Sequence, residues 1–295
     1  MGTLYVVATP IGNLEDVTLR ALRVLREAAL VLAEDTRRTR ILLDHHGIAA
    51  RPVSLHAHNE AARVERALEA LRAGDAIALV SDAGTPLVSD PGERLVRAAI
   101  DDGHDVVPVP GASAPLAALV ASGLRAQPFA FVGFPPRRRA ARRALLAPFA
   151  ARGETLVLFE SPRRVGATLR ELAEWLGAER RACVARELTK LHEELARGSL
   201  GELAERYASG ARGEVTIAVE GRDADAAPEV DDDAVEREIA ARVRAGERPR
   251  EIAAAMAPAT GLAKRALYAR AVAASGRAAE DGRGGAPARA RGTDG

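Results

Sequence analysis

Three short loops hold the residues best suited to grip a polar ligand: Thr9-Pro10-Ile11-Gly12-Asn13, Ser81-Asp82-Ala83-Gly84-Thr85-Pro86 and Pro110-Gly111-Ala112-Ser113-Ala114. Each follows an apolar run and mixes glycine or alanine, which let a ligand approach the backbone, with small hydrogen-bonding side chains. In open α/β sheets ligands bind at the C-terminal edge of the strands, where free amides and helix N-termini meet polar groups. Glycine and proline also simply make turns, so one such loop decides nothing; three in one half of the chain indicate a cleft. Asp82 suits a turn cap as well as a ligand contact. Ser113 precedes Ala114-Pro115 and lacks the final glycine of a nucleophile elbow, so it reads as a helix cap.

A second group of residues could move protons. Glu34 and Asp35 end one apolar run, Glu160 ends another, and His56 and His58 follow the Arg51–Leu55 segment. Strand-end carboxylates also cap helices or pair with arginines such as Arg37, and paired histidines also satisfy local backbone. Of 42 basic residues only Lys190 and Lys264 are lysine. An amine, unlike a guanidinium, can have its pKa lowered far enough by burial to accept a proton. Lys190 is therefore a candidate base, with phosphate contact as its other reading.

These residues need a scaffold that brings strand ends together. Between Thr3 and Val219 short apolar runs alternate with amphipathic helical patterns, which predicts an α/β fold with mostly parallel sheets. Leu4–Ala8, Leu30–Ala33, Ile77–Val80 and Val106–Val109 are near-continuous apolar strands, as expected when both faces are covered. Helices are expected at about Thr18–Ala28, with Leu19, Leu22 and Leu25 on one face, and at Asn59–Ala73, Pro91–Asp101 and Ser113–Ser122. After Gly123–Pro128 a second set of strands follows at Ala130–Val132, Leu156–Phe159 and Val215–Val219. The expected organisation is a first lobe over 1–122, a second over 123–221, an acidic linker, a small helical region over 234–274, and a tail over 276–295 without fixed structure.

At 295 residues the chain can build two domains. Hydrophobic residues at 47% and charged residues at 28% exclude a disordered or fibrous chain. One cysteine, Cys183, excludes disulfides and multi-thiolate metal sites. No stretch reaches the roughly 20 apolar residues that span a bilayer, so no membrane partner is expected. There is no Walker loop and no G-x-G-x-x-G after the first strand. His192-Glu193-Glu194-Leu195-Ala196 has alanine where a zincin places its second histidine, so no metal site is expected. Net charge is +1, which leaves nucleic-acid contact to a local patch. Arg137, Arg138, Arg139, Arg142 and Arg143 supply one; on a helix over 137–149 they would form a basic face, with no acidic residue among them for i,i+4 pairing. The low aromatic content, 3%, speaks against recognition by stacking on an exposed aromatic sheet.

Taken in order, Thr9-Pro-Ile-Gly-Asn-Leu, Ala33-Glu-Asp-Thr-Arg, Ser81-Asp-Ala-Gly-Thr-Pro and Pro110-Gly-Ala-Ser make the chain resemble the tetrapyrrole-methylase-like S-adenosylmethionine methyltransferases. His56-Ala57-His58-Asn59-Glu60, Phe159-Glu-Ser-Pro-Arg-Arg and Arg186-Glu-Leu-Thr-Lys are similar to the branch that methylates a ribose 2′-hydroxyl, on a cytidine in the decoding region of 16S rRNA. The resemblance covers residues 3–220 or so. Ala57 departs from it, since that branch usually carries an acidic residue between the histidines.

The resemblance implies S-adenosylmethionine in a cleft between the lobes. Its contacts would come from the three loops (Pro10, Gly12, Asn13; Ser81 to Pro86; Pro110, Gly111, Ser113, Ala114) and from parts of the second lobe. It also implies small-subunit rRNA as the partner, bound by the arginine cluster with Arg163 and Arg164, and a homodimer; the single cysteine fits a reducing cytoplasm as the place of action. A positioned base or hydrogen-bond acceptor would help methyl transfer to a hydroxyl by taking its proton, and Lys190, Glu160, His56 and His58 are the candidates, with Glu34 and Asp35 beside them. Lys264, Arg265 and Tyr268 in the helical region are further RNA-contact candidates. Two other readings stay open: methylation of a corrinoid or porphyrin, and a non-catalytic RNA-binding assembly factor.

Overall fold

The computed structural model describes residues 2–55, 60–222, 232–260 and 262–281. Residues up to Arg222 form one compact unit and those from Asp223 a second.

The first unit holds two five-stranded sheets. In the first, β1 (Thr3–Val7), β2 (Leu30–Ala33), β3 (Pro52–Ser54), β4 (Ala76–Val80) and β5 (Asp105–Val109) lie in the order β3-β2-β4-β1-β5. All pairings are parallel. Val7 pairs with both Val80 and Val109, and Ala33 with Val80, so the loops after four strands start level. Helices α1 (Leu19–Glu27), α2 (Thr36–His45), α3 (Glu60–Arg72), α4 (Glu93–Asp101) and α5 (Ala114–Ser122) make the connections. Val31, Ala78 and Val80 pack with α1 and α2 on one face. Leu4, Ile77 and Leu79 pack with α3 and α4 on the other. Each fully buried aliphatic side chain contributes roughly 1.5–3 kcal/mol.

Helix α1 starts where Thr18 accepts from the Ala21 amide and buries Ala21, Leu22, Val24 and Leu25. Leu19, expected on that face, is 86% exposed. Residues three apart drift about 60° round a helix, so Leu19 and Leu25 cannot share a narrow stripe.

In the second lobe β6 (Phe129–Phe131), β7 (Thr155–Glu160), β8 (Arg181–Arg186), β9 (Glu194–Ser199) and β10 (Val215–Val219) lie in the order β6-β7-β10-β8-β9. Here the expected parallel arrangement gives way: β6 and β7 are parallel, while β7–β10, β10–β8 and β8–β9 are antiparallel. The short connection from β8 to β9 allows only a return strand. Residues 194–196 of the zincin-like segment therefore lie on β9. Cys183, on β8 with β10 on one side and β9 on the other, is 1% exposed. Helices α6 (Arg139–Leu146), α7 (Val165–Leu176) and α8 (Leu200–Arg206) complete the lobe. Ala118 of α5 packs with Ala185 and Leu188, and Leu119 with Val157 and Ala218, joining the lobes through an apolar seam.

The second unit comprises α9 (Asp232–Arg244), α10 (Pro249–Thr260) and α11 (Lys264–Asp281). Its core is Val235, Ile239, Ile252, Met256, Leu267 and Ala271. Helix α11 continues past Ser275 to Asp281, because alanine-rich sequence sustains helix where periodicity is weak. Most of the expected linker and the last 14 residues lie outside the described residues.

Among the described residues, no helix is long and apolar enough to cross a membrane.

Candidate active site

The loops after β1 and β4 are tied at the sheet edge. Thr9 and Gly84 exchange two backbone hydrogen bonds of 2.9 Å, and the buried Thr9 hydroxyl donates to the Ser81 carbonyl at 3.2 Å. The Ser81 hydroxyl donates to the Gly84 carbonyl at 3.2 Å, and that of Thr85 reaches the Ala112 carbonyl at 3.3 Å. Three loops distant in sequence thus become one surface.

That surface forms one side of a cavity of about 490 Å³ between the lobes, within the range of small-molecule sites. Ile11, Asp82, Ala83, Gly84, Thr85, Ser113 and Ala114 line it, as do Phe134, Phe159, Leu188 and Val215 from the second lobe. Pro10, Gly12, Asn13, Ser81, Pro86, Pro110 and Gly111 are not among its lining residues. Asn13 caps the turn Leu14–Asp16 by accepting from the Glu15 amide. Its own amide donates to Thr189 Oγ1 at 3.0 Å, and a Cβ on Gly12 would stand 2.5 Å from Lys190 Cγ. The loop after β1 is therefore docked against the second lobe, an approach only glycine permits. Ser113 occupies the N-cap position of α5 without a side-chain cap bond and faces the cavity instead.

Among the described residues, five acidic residues line the cleft, Glu34, Asp82, Asp90, Glu160 and Glu214, against one arginine, Arg38. Asp82 both caps and lines: its Oδ1 accepts from the Asp35 amide at 2.8 Å. Arg38 lies 3.6 Å from Asp82 and 4.0 Å from Glu214, bridging the lobes. Asp35 turns to Arg37 at 2.7 Å, whose hydrogen bonds hold its carboxyl down to about 2. Burial raises Glu34, and the charge of Asp82 adds to the shift. Burial also pushes Asp90 up to about 6, helped by the Glu34 charge, while a Ser81 hydrogen bond pulls the other way. Leu87 (φ 72°) and Ser89 (φ 74°) hold left-handed backbone just before Asp90, an unfavourable conformation that concentrates at functional sites.

The proton-transfer candidates fare differently. Lys190 donates to Glu187 at 2.8 Å and Glu214 at 2.9 Å. Desolvation lowers its pKa, but the two carboxylates outweigh that and raise it. Lys190 is thus a held ammonium, which corrects the expectation of a neutral amine. Glu160 is 2% exposed. It accepts from the Ser161 amide at 2.7 Å and Thr168 Oγ1 at 2.6 Å, with Arg164 at 3.2 Å. Its oxygens are committed to the β7–α7 turn. His56 and His58 lie outside the described residues.

The arginine cluster divides as well. Arg137, Arg138, Arg139, Arg143 and Arg163 are exposed, though Arg139 also pairs with Glu174 at 2.6 Å. Arg142 is 7% exposed, pairs with Glu171 at 2.8 Å and donates to the Pro136 and Arg137 carbonyls. Arg164 serves Glu160 and the Pro135 carbonyl. Arg142 is thus buried in the fold, while Arg164, held on Glu160, stays partly exposed. The partners Glu171 and Glu174 sit on α7, beyond any i,i+4 search.

Arg38, Asp90, Phe134 and Glu214 escaped sequence reasoning. Asp90 lies just beyond the Ser81–Pro86 loop and could have been found by extending it; Arg38 and Glu214 carry no local signal.

Residues 3–204 match the family described as tetrapyrrole (corrin/porphyrin) methylases. A ribosomal RNA small subunit methyltransferase I of Mesorhizobium japonicum is 48% identical over 269 residues, 90% of each chain. One from Halalkalibacterium halodurans is 49% identical over 230 residues, 77% of this chain and 79% of its own. Among solved structures, uroporphyrin-III C-methyltransferase from Thermus thermophilus complexed with S-adenyl homocysteine is 25% identical, with a TM-score of 0.53, over 74% of this chain and 97% of that one.

Proposed function

We propose, on the premise that this chain belongs to the tetrapyrrole (corrin/porphyrin) methylase family and to its ribosomal-RNA branch, that it transfers a methyl group from S-adenosylmethionine to a ribose 2′-hydroxyl of 16S rRNA. The acceptor nucleotide in this reading is a cytidine of the decoding region, presented by the small ribosomal subunit. The observation that carries it is the inter-lobe cavity walled by strand-end loops and, among the described residues, five acidic residues.

That wall suits the donor, whose sulfonium and ammonium are cationic and whose remaining groups want amides and an apolar surface. When bound, S-adenosylmethionine supplies a methyl already activated by positive sulfur. The chain's work is to align, exclude water and receive a proton. Ile11, Ala83, Ala114 and Leu188 provide the dry wall, and Asp82 the fixed negative charge. Asp90 is the proton acceptor in this reading: it lines the cavity, and a carboxyl titrating near 6 is ionised yet still basic at neutral pH. Lys190 acts as a fixed cation beside Glu214, and Arg137, Arg138, Arg143 and Arg163 contact phosphates. The enzyme works in the cytoplasm as a homodimer, for which Leu116 and Val120, an exposed i,i+4 apolar pair on α5, offer a self-complementary face.

The test is transfer of labelled methyl from S-adenosylmethionine to small subunits prepared from cells lacking the enzyme. Label in a decoding-region ribose, and twice the chain mass in sedimentation, are expected. Donor binding without label in RNA would redirect the reading to a small-molecule acceptor, and a monomer mass would remove the dimer.

A further inference from the structure

Phe134 sits at the cleft with its ring in water. It lines the cavity and is 59% exposed. One side leans on Phe159, with centroids 5.2 Å apart and planes at 49°; Phe159 in turn meets Phe131 edge-on at 5.0 Å.

The turn carrying this ring is firmly held. Gly133 adopts φ 65°, and a Cβ there would stand 2.9 Å from Ser89 Oγ, so the turn abuts the strained loop that presents Asp90. On the other side Arg142 donates to the Pro136 and Arg137 carbonyls at 2.8 and 2.9 Å, and Arg164 reaches the Pro135 carbonyl at 3.4 Å. Arg142 is itself fixed by Glu171. A buried ion pair thus braces a turn whose most prominent group is an apolar ring facing solvent, an arrangement that packing alone does not call for. The exposed Arg137 and Arg138 follow directly, so a basic strip runs up to the ring.

We propose that Phe134 is the ledge on which the base of the target nucleotide stacks while its ribose enters the cleft. The inference rests on the rRNA reading above. A ribose hydroxyl in folded RNA reaches a recessed methyl only if its nucleotide leaves the stack, and unstacking is unfavourable. An aromatic face returns part of that loss whatever the base, and a braced turn keeps the ring from having to be ordered on binding. One ring beside a basic strip suffices, so the chain's few aromatics are no obstacle.

Phe134→Ala, Phe134→Leu and Phe134→Trp would be compared with the parent in kcat/KM for small subunits, calorimetric donor affinity and melting temperature. Expected is a loss of kcat/KM of about ten- to hundred-fold in the Ala and Leu variants, with near-parental values for Trp and unchanged donor affinity throughout. Leu as active as Trp would show that only bulk is needed and overturn the proposal. Donor affinity falling in step with kcat/KM would assign the ring to the donor's adenine and overturn it too. If all variants match a parent that does methylate subunits, the ledge fails and the rRNA reading stands; if the parent methylates no RNA, both fall together.

Discussion

Asp90 shows how one carboxyl can be tested in two independent ways. The folded protein holds its proton more tightly than the unfolded chain, with a pKa of about 6 against 3.8. Ionising it therefore lowers stability progressively as pH rises from about 4 through about 6. Asp90→Asn, which cannot ionise, should melt higher than the parent above pH 7 and lose that advantage below pH 4. The same variant should lose methyl transfer by roughly 10²–10⁴-fold and with it the acid limb near pH 6. A variant that keeps both rate and acid limb would remove Asp90 from the chemistry. The neighbouring loop was legible in the sequence because it is one of three small-residue loops that each follow an apolar run in the same half of the chain. Asp90 was not, because its placement depends on left-handed backbone at Leu87 and Ser89, which their residue types disfavour. Lys190 drew attention by its rarity; Glu187 stands three residues before it, but only the fold brings Glu214 to its ammonium.

At the scale of elements, α6 is the part whose meaning changed most between sequence and structure. Its arginines read as one basic face because no acid lay within a helical turn, yet Arg142 finds Glu171 on α7, 29 residues on. Removing Arg142 leaves the mostly buried Glu171 with only the exposed Arg139, at 3.4 Å, so most of the penalty for a broken buried pair remains. Arg142→Ala should lower unfolding stability by about 3 kcal/mol in urea titration, and Arg142→Lys should recover little, since one ammonium cannot replace the forked contact. A variant with parental stability would mean that the pair carries no net weight. Arg138, by contrast, faces solvent and ought to tolerate replacement structurally. Strands β8 and β9 were also missed: β8 is bounded by arginines, and β9 is a polar edge strand (Glu194, Arg197) whose pairing only its neighbour defines.

Across the whole molecule, the first lobe was readable because parallel strands covered on both faces must be apolar throughout, which makes Leu4–Val7 and Ile77–Val80 unmistakable. The second lobe blurs that signal, since an antiparallel sheet accepts polar strands at its edge. The same sheet shuts in the only thiol of the chain. Cys183 is 1% exposed, flanked by β10 and β9, and burial pushes its pKa up, so both access and thiolate formation wait on separation of those strands. An alkylating reagent should leave the native protein unmarked for as long as the lobe stays closed and modify it at the free-thiol rate in denaturant. Rapid alkylation of the native form would show that the sheet opens readily. The rate of alkylation is thus an internal clock for opening of this lobe, readable by mass in the unaltered chain, with or without S-adenosylmethionine, and needing no introduced label.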